Sequence, residues 1–89
     1  MVEFKIAYTK KAAADIGKLK AAKLDKKVKQ LIDLIKVNPY QTPPRFEKLQ
    51  GDLLGAYSRR INIKHRLVYE VFEAEKVIKV VSMWSHYEF

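Results

Sequence analysis

The chain contains no cysteine, so neither a disulfide framework nor a thiolate metal site is open to it. Two histidines, His65 and His86, leave little scope for a histidine metal centre, and no metal or cofactor is expected. No apolar run approaches the ~18–20 residues that cross a bilayer. The opening Met1-Val2-Glu3-Phe4-Lys5 also lacks the basic segment and apolar run of a secretory signal. These absences predict a soluble cytoplasmic protein with no membrane partner. Acidic residues are scarce as well: ten Asp+Glu face eighteen Lys+Arg, for a net charge of +8 and a pI near 9.8. That is the balance of a protein that meets polyanions, and nucleic acid is the expected partner.

The charge is unevenly placed. Residues 10–36 carry nine Lys against three Asp (+6), residues 45–66 six Lys or Arg against two acids (+4), and residues 67–89 two Lys against four Glu (−2). With 48% hydrophobic and 11% aromatic residues, the 89-residue chain has material for one core and one domain, 1–89.

Val2, Phe4, Ile6 and Tyr8 alternate with Glu3, Lys5 and Ala7, the period of a half-buried strand. Thr9 precedes Lys10-Lys11-Ala12 and suits an N-cap, which opens a helix to about Lys20 with Ala12, Ile16 and Leu19 inward. Leu24, Val28, Leu31, Ile32 and Ile35 form one face of a second helix. The five-residue step from Leu19 to Leu24 breaks the phase between the two and predicts a hairpin near Ala21–Lys23. One bent helix is the alternative, because no Gly or Pro marks the break. Asn38-Pro39 ends the second helix. Residues 39–56, with Pro39, Pro43, Pro44, Gly51 and Gly55, read as a long loop. Tyr57–Ile63, His65–Phe72 and Val77–Trp84 read as strands of an antiparallel meander. The order β-α-α-β-β-β predicts an α+β fold, two helices on one face of a small antiparallel sheet with the other face open to a ligand.

Three segments stand apart: Glu47 within Arg45-Phe46-Glu47-Lys48-Leu49, the run Leu53-Leu54-Gly55-Ala56-Tyr57-Ser58-Arg59-Arg60-Ile61 followed by His65-Arg66-Leu67-Val68-Tyr69, and the ending His86-Tyr87-Glu88-Phe89. In these the chain resembles the Txe/YoeB branch of the RelE-type toxins, over nearly its whole length and most specifically over residues 47–87. The resemblance implies a RelE-like fold and a metal-free mRNA endonuclease (an mRNA interferase) that works in the ribosomal A site. It also implies inhibition by a small acidic, YefM-like antitoxin, and a homodimer is possible. Carried over by position, Glu47 is the general base, Arg66 the phosphate-stabilising cation and His86 the general acid. Tyr87 positions the substrate and Arg60 supports the scissile phosphate. Arg59 and Lys48 join Arg60 as expected RNA- and phosphate-binding residues.

The residue types suit that chemistry on their own terms. Cleavage without metal needs a base for the 2′-OH proton, a cation for the developing phosphorane charge and an acid for the departing 5′-oxygen. A carboxylate, a guanidinium and an imidazole supply the three. Taken without the resemblance, each has an ordinary alternative. Arg66 shares a strand face with Glu70 and could pair with it, Glu47 could be surface, and a His-Tyr near a chain end could be unstructured. His65 reads as a turn residue, and Met83 and Trp84 as core.

Two positions depart from the family pattern. Gln50 stands where many relatives have Lys, with Lys48 as a displaced substitute for the charge. Glu88-Phe89 extends past His-Tyr and puts a carboxylate near His86, which could raise its pKa. Two other functions compete with the nuclease: a ParE-type poison of DNA gyrase without nuclease chemistry, and a non-enzymatic RNA- or DNA-binding module that uses the basic helices. Neither needs the Glu, Arg and His-Tyr set.

Overall fold

A computed structural model describes residues 3–42, 45–49, 55–62 and 64–85. Seven elements follow in order: β1 (Lys5–Tyr8), α1 (Lys10–Ala21), α2 (Asp25–Val37), β2 (Phe46–Lys48), β3 (Ala56–Arg60), β4 (Arg66–Phe72) and β5 (Val77–Ser85). Among the described residues no helix is long and apolar enough to cross a membrane.

Local signals account for the helices. The Thr9 hydroxyl accepts the Ala12 N–H at 3.0 Å and donates to the Val81 carbonyl at 2.7 Å, so one side chain caps α1 and ties its start to β5. At the other end Lys23 adopts φ 61°. The Leu24 N–H reaches back to the Leu19 carbonyl at 2.8 Å and the Lys23 N–H to the Lys20 carbonyl at 3.1 Å. This pair of bonds is a Schellman stop, with lysine in the left-handed position where glycine is usual. The predicted hairpin is therefore present, and it needs neither glycine nor proline. Val28, Leu31 and Ile35 of α2 are buried as their spacing requires, with Leu24 and Ile32 packed at the margin. In α1 the inward residues are Ala12, Asp15 and Leu19, whereas Ile16 is 37% exposed. The expectation of a buried Ile16 is corrected: the helix is rotated so that a carboxylate occupies the buried position.

The sheet order is β1-β5-β4-β3-β2. β2 through β5 are antiparallel, as expected, but β1 lies parallel to β5 with Lys5 opposite Val77 and Tyr8 opposite Val80. The all-antiparallel expectation is thus corrected to a mixed sheet. A helical connection after β1 lets a later strand lie parallel beside it, and hydropathy alone carries no direction. The stretch predicted as a loop over 39–56 also contains a strand, the three-residue β2, which pairs with β3 through Phe46–Arg59, Glu47–Ser58 and Lys48–Tyr57.

The main core lies between the helices and one sheet face, around Leu19, Leu31, Ile35, Leu67, Tyr69, Ile78 and Val80. A smaller cluster of Leu49, Ala56 and Val68, with Val81 against it, occupies the opposite face. Met83 is buried and Trp84 is half-buried against the main core, as expected.

Candidate active site on the open face of the sheet

Strand alternation decides which side chains can meet. On β3, Ser58 and Arg60 share one face, and the pairing sets Ser58 opposite Glu47 of β2 and Arg60 opposite Arg66 of β4. These residues, with Arg45, line a cavity of about 310 Å³ on the face away from the helices. Arg66 Nη1 stands 3.8 Å from Glu47 Oε1 and donates to Ser58 Oγ at 3.4 Å. At 3.8 Å the Glu47 contact is an ion pair and too long for a hydrogen bond. The Arg66 side chain is 15% exposed and that of Glu47 36% exposed, so a ligand can reach both. Three arginines face one carboxylate, which makes the cavity a site for an anion.

Glu47, Arg60 and Arg66, three of the residues singled out in sequence, are brought together here. Arg66 of β4 pairs with Glu47 of β2, with β3 between them. Arg45 and Ser58 were not singled out as site residues. Each lies two positions before a chosen residue, Glu47 and Arg60, and the period of a strand could have found them.

Arg59 and Lys48 do not join the site. Arg59 is 0% exposed: its Nε donates to Tyr69 Oη at 3.1 Å, and its Nη2 to the carbonyls of Pro39 at 3.0 Å and Gln41 at 2.8 Å. Its guanidinium also lies 5.0 Å from the centre of the Phe46 ring. The phosphate-binding expectation for Arg59 is therefore corrected. It faces the helix side and fastens the 39–42 segment and β2, hence the strand that bears Glu47, to the sheet. Lys48 is exposed and alternates with Glu47, on the face of Phe46 and Tyr57. It does not line the cavity. His65 closes the turn before β4, as expected: its N–H, with that of Lys64, donates to Asn62 Oδ1 at 2.7 and 2.9 Å. Its ring stacks on Trp84 at 3.8 Å. His86, Tyr87, Gln50 and the Glu88-Phe89 extension lie outside the described residues.

One residue that sequence reasoning passed over is Asp15, 1% exposed in the middle of α1. Its Oδ2 accepts from Lys11 Nζ at 2.8 Å and from the backbone N–H groups of Met83 and Trp84, both at 3.1 Å. Burial pushes this carboxyl up, but the hydrogen bonds and the Lys11 charge outweigh it and hold the pKa below its ordinary value. A lone Asp at an apolar helix position was the available signal.

Comparison with known proteins identifies the family. The family model of the YoeB-like toxin of bacterial type II toxin–antitoxin systems matches residues 8–87. Toxin YoeB of Synechocystis sp. is 38% identical over 66 residues, which cover 74% of this chain and 74% of that one. Among solved structures, the YoeB/ParE toxin from Agrobacterium tumefaciens superposes with a TM-score of 0.86 at 30% identity, over 94% of this chain and all of that one. Toxin in the YoeB–YefM complex from Staphylococcus aureus superposes with a TM-score of 0.79 at 35% identity, over 97% of this chain and all of that one. The chain belongs to the YoeB-like toxins of bacterial type II toxin–antitoxin systems.

Proposed function

We propose that this toxin is a ribosome-dependent endoribonuclease that cuts messenger RNA in the A site and is silenced by an acidic, YefM-like antitoxin. The observation that carries the reading is the pairing of Glu47 with Arg66 in an arginine-lined cavity on the open sheet face. Glu47 takes the proton of the 2′-OH, which attacks the adjacent phosphorus. Arg66 and Arg60 neutralise the charge on the phosphorane oxygens, and a phosphate competes with Glu47 for the Arg66 guanidinium. His86 gives its proton to the departing 5′-oxygen, and Tyr87 positions the substrate. The products are a 2′,3′-cyclic phosphate, or the 3′-phosphate from its opening, and a 5′-hydroxyl. Because the 2′-OH is the nucleophile, DNA is not cut.

A relative at 35% identity is solved with YefM, and a Staphylococcus aureus YoeB is solved as a dimer. An acidic antitoxin segment that folds onto this basic chain and covers Arg60, Arg66 or the His86-Tyr87 end accounts for neutralisation. The deciding experiment gives purified protein to ribosomes programmed with a defined message and maps the ends. Cleavage by the wild type and its loss in Glu47→Gln and His86→Ala support the reading. Intact message, with gyrase inhibited instead, would replace it with the ParE-type activity.

A further inference from the structure

The pairing of β4 with β5 slips twice. Tyr69 is opposite Val80, Val68 opposite Ser82 and Arg66 opposite Ser85, so β5 carries one extra residue at each step. The second slip falls at Met83 and Trp84, beside the strand end that bears Arg66. In a regular strand two consecutive N–H groups point to opposite sides. Here those of Met83 and Trp84 converge on a single oxygen, Asp15 Oδ2. A bulge allows that convergence, and something must then satisfy both donors, since buried N–H groups do not stay unpaired. Asp15 does so from a helix position whose neighbours on the buried face, Ala12 and Leu19, are apolar. Placing a carboxylate there carries a desolvation penalty that hydrogen bonds and a nearby cation must offset. The two amides and Lys11 Nζ all bond one of its oxygens, Oδ2. Trp84 is thus held at its backbone by Asp15 and at its ring by His65, the residue before Arg66.

We propose that Asp15 is a positioning residue for the site: its buried carboxylate holds the β5 bulge at Met83–Trp84, which fixes the strand end opposite Arg66 and the point from which the chain continues to His86. The inference deepens the nuclease reading and rests on it for its catalytic consequence. Trp84 is the one tryptophan of the chain, so its emission reports on the bulge directly.

The test compares Asp15→Ala, Asp15→Asn and wild type by Trp84 emission, amide exchange at Met83 and Trp84, the Arg66 Nε–H resonance, and cleavage on programmed ribosomes. Asp15→Ala is expected to stay helical, shift Trp84 emission, expose both amides to exchange and move the Arg66 resonance. Its kcat falls roughly 10- to 100-fold with KM little changed, the scale of a catalytic group displaced by about 1 Å. Asp15→Asn, whose amide oxygen accepts the same two bonds, keeps wild-type exchange and emission and most of the rate. If Asp15→Ala does not fold, Asp15→Asn decides: rapid exchange at both amides with undiminished cleavage overturns the proposal. Unchanged emission and exchange in a folded Asp15→Ala overturn it too, as does a disturbed bulge with a wild-type rate and an unmoved Arg66. If the wild type cleaves no RNA, the nuclease reading falls by itself, and the Arg66 resonance in Asp15→Ala still decides whether Asp15 places that guanidinium.

Discussion

Arg59 donates to the hydroxyl of Tyr69 at 3.1 Å, and that hydroxyl donates in turn to the Pro39 carbonyl at 2.7 Å, which Arg59 also bonds at 3.0 Å. The triangle ties β3, β4 and the segment after α2 together beneath the sheet, while Arg60, the next residue, serves the opposite face. Arg59→Met is therefore expected to leave the Gln41 carbonyl and the accepting side of the Tyr69 hydroxyl without a donor, while Pro39 keeps its bond from Tyr69, and to cost about 2–6 kcal/mol, at about 1–3 kcal/mol per unsatisfied group. Arg60→Met should leave stability within about 0.5 kcal/mol. Urea unfolding of the two variants measures the difference, and equal costs would mean that the two arginines had been assigned to the wrong faces.

Glu47→Gln is expected to leave unfolding close to that of the wild type, because the pair with Arg66 is partly exposed and such pairs contribute little. Its single-turnover cleavage on ribosomes should fall by about 10²–10⁴-fold, the usual loss of a general base. A Glu47→Gln protein that cleaves at the wild-type rate removes Glu47 from the chemistry.

Acid should destabilise the fold through Asp15. Its carboxyl titrates below its ordinary value in the folded chain, so its contribution is whole above the unfolded pKa of 3.8 and is lost as pH falls through the lower folded value. Thermal melts from neutral pH down into acid should show a steep acid limb that Asp15→Ala flattens.

Alkali acts through Tyr40. Burial and the hydrogen bond to Glu73 Oε1 at 2.8 Å push this phenol well above its ordinary value of 10.0. The neutral form is favoured by folding, so this stabilisation is complete below pH 10.0 and drains away as pH rises toward the folded value. Tyr40→Phe should lose the hydroxyl's contribution at neutral pH and show a shallower alkaline limb. Identical alkaline limbs would place the Tyr40 hydroxyl outside the folded contacts.

The lysine-rich helices present a separate test. Lys18, Lys20, Lys26 and Lys27 are all exposed on α1 and α2, on the other side of the sheet from the cavity. Replacing all four with Gln should weaken association with ribosomes and lower the salt slope by about one unit at most per lost phosphate contact. An unchanged slope would identify these lysines as a solvated surface.

Much of this organisation was written in the periodicity of the chain. Helix α2, the Thr9 cap and the strands after Tyr57 followed from spacing and capping, and the grouping of Glu47, Arg60 and Arg66 from the resemblance to the Txe/YoeB toxins. The missed features share a cause. The parallel pairing of β1, the strand at Phe46–Lys48 and the partners of Asp15 depend on contacts between residues distant in sequence, which local pattern does not name. The side on which Arg59 falls was readable in principle, since adjacent strand residues face opposite ways, but the repeated Arg invited a shared role.

The position of β5 between β1 and β4 governs when the protein can exist as a folded molecule. Lys5 must find Val77, and Arg66 needs a partner strand that runs to Ser85. During synthesis the first strand therefore waits, with its helices, for the last one to leave the ribosome. Non-local pairing of this kind folds slowly and late. A nascent chain cannot assemble the strand pair that frames Arg66 while its own message is still being read through that region, so the cavity takes shape only once β5 has emerged.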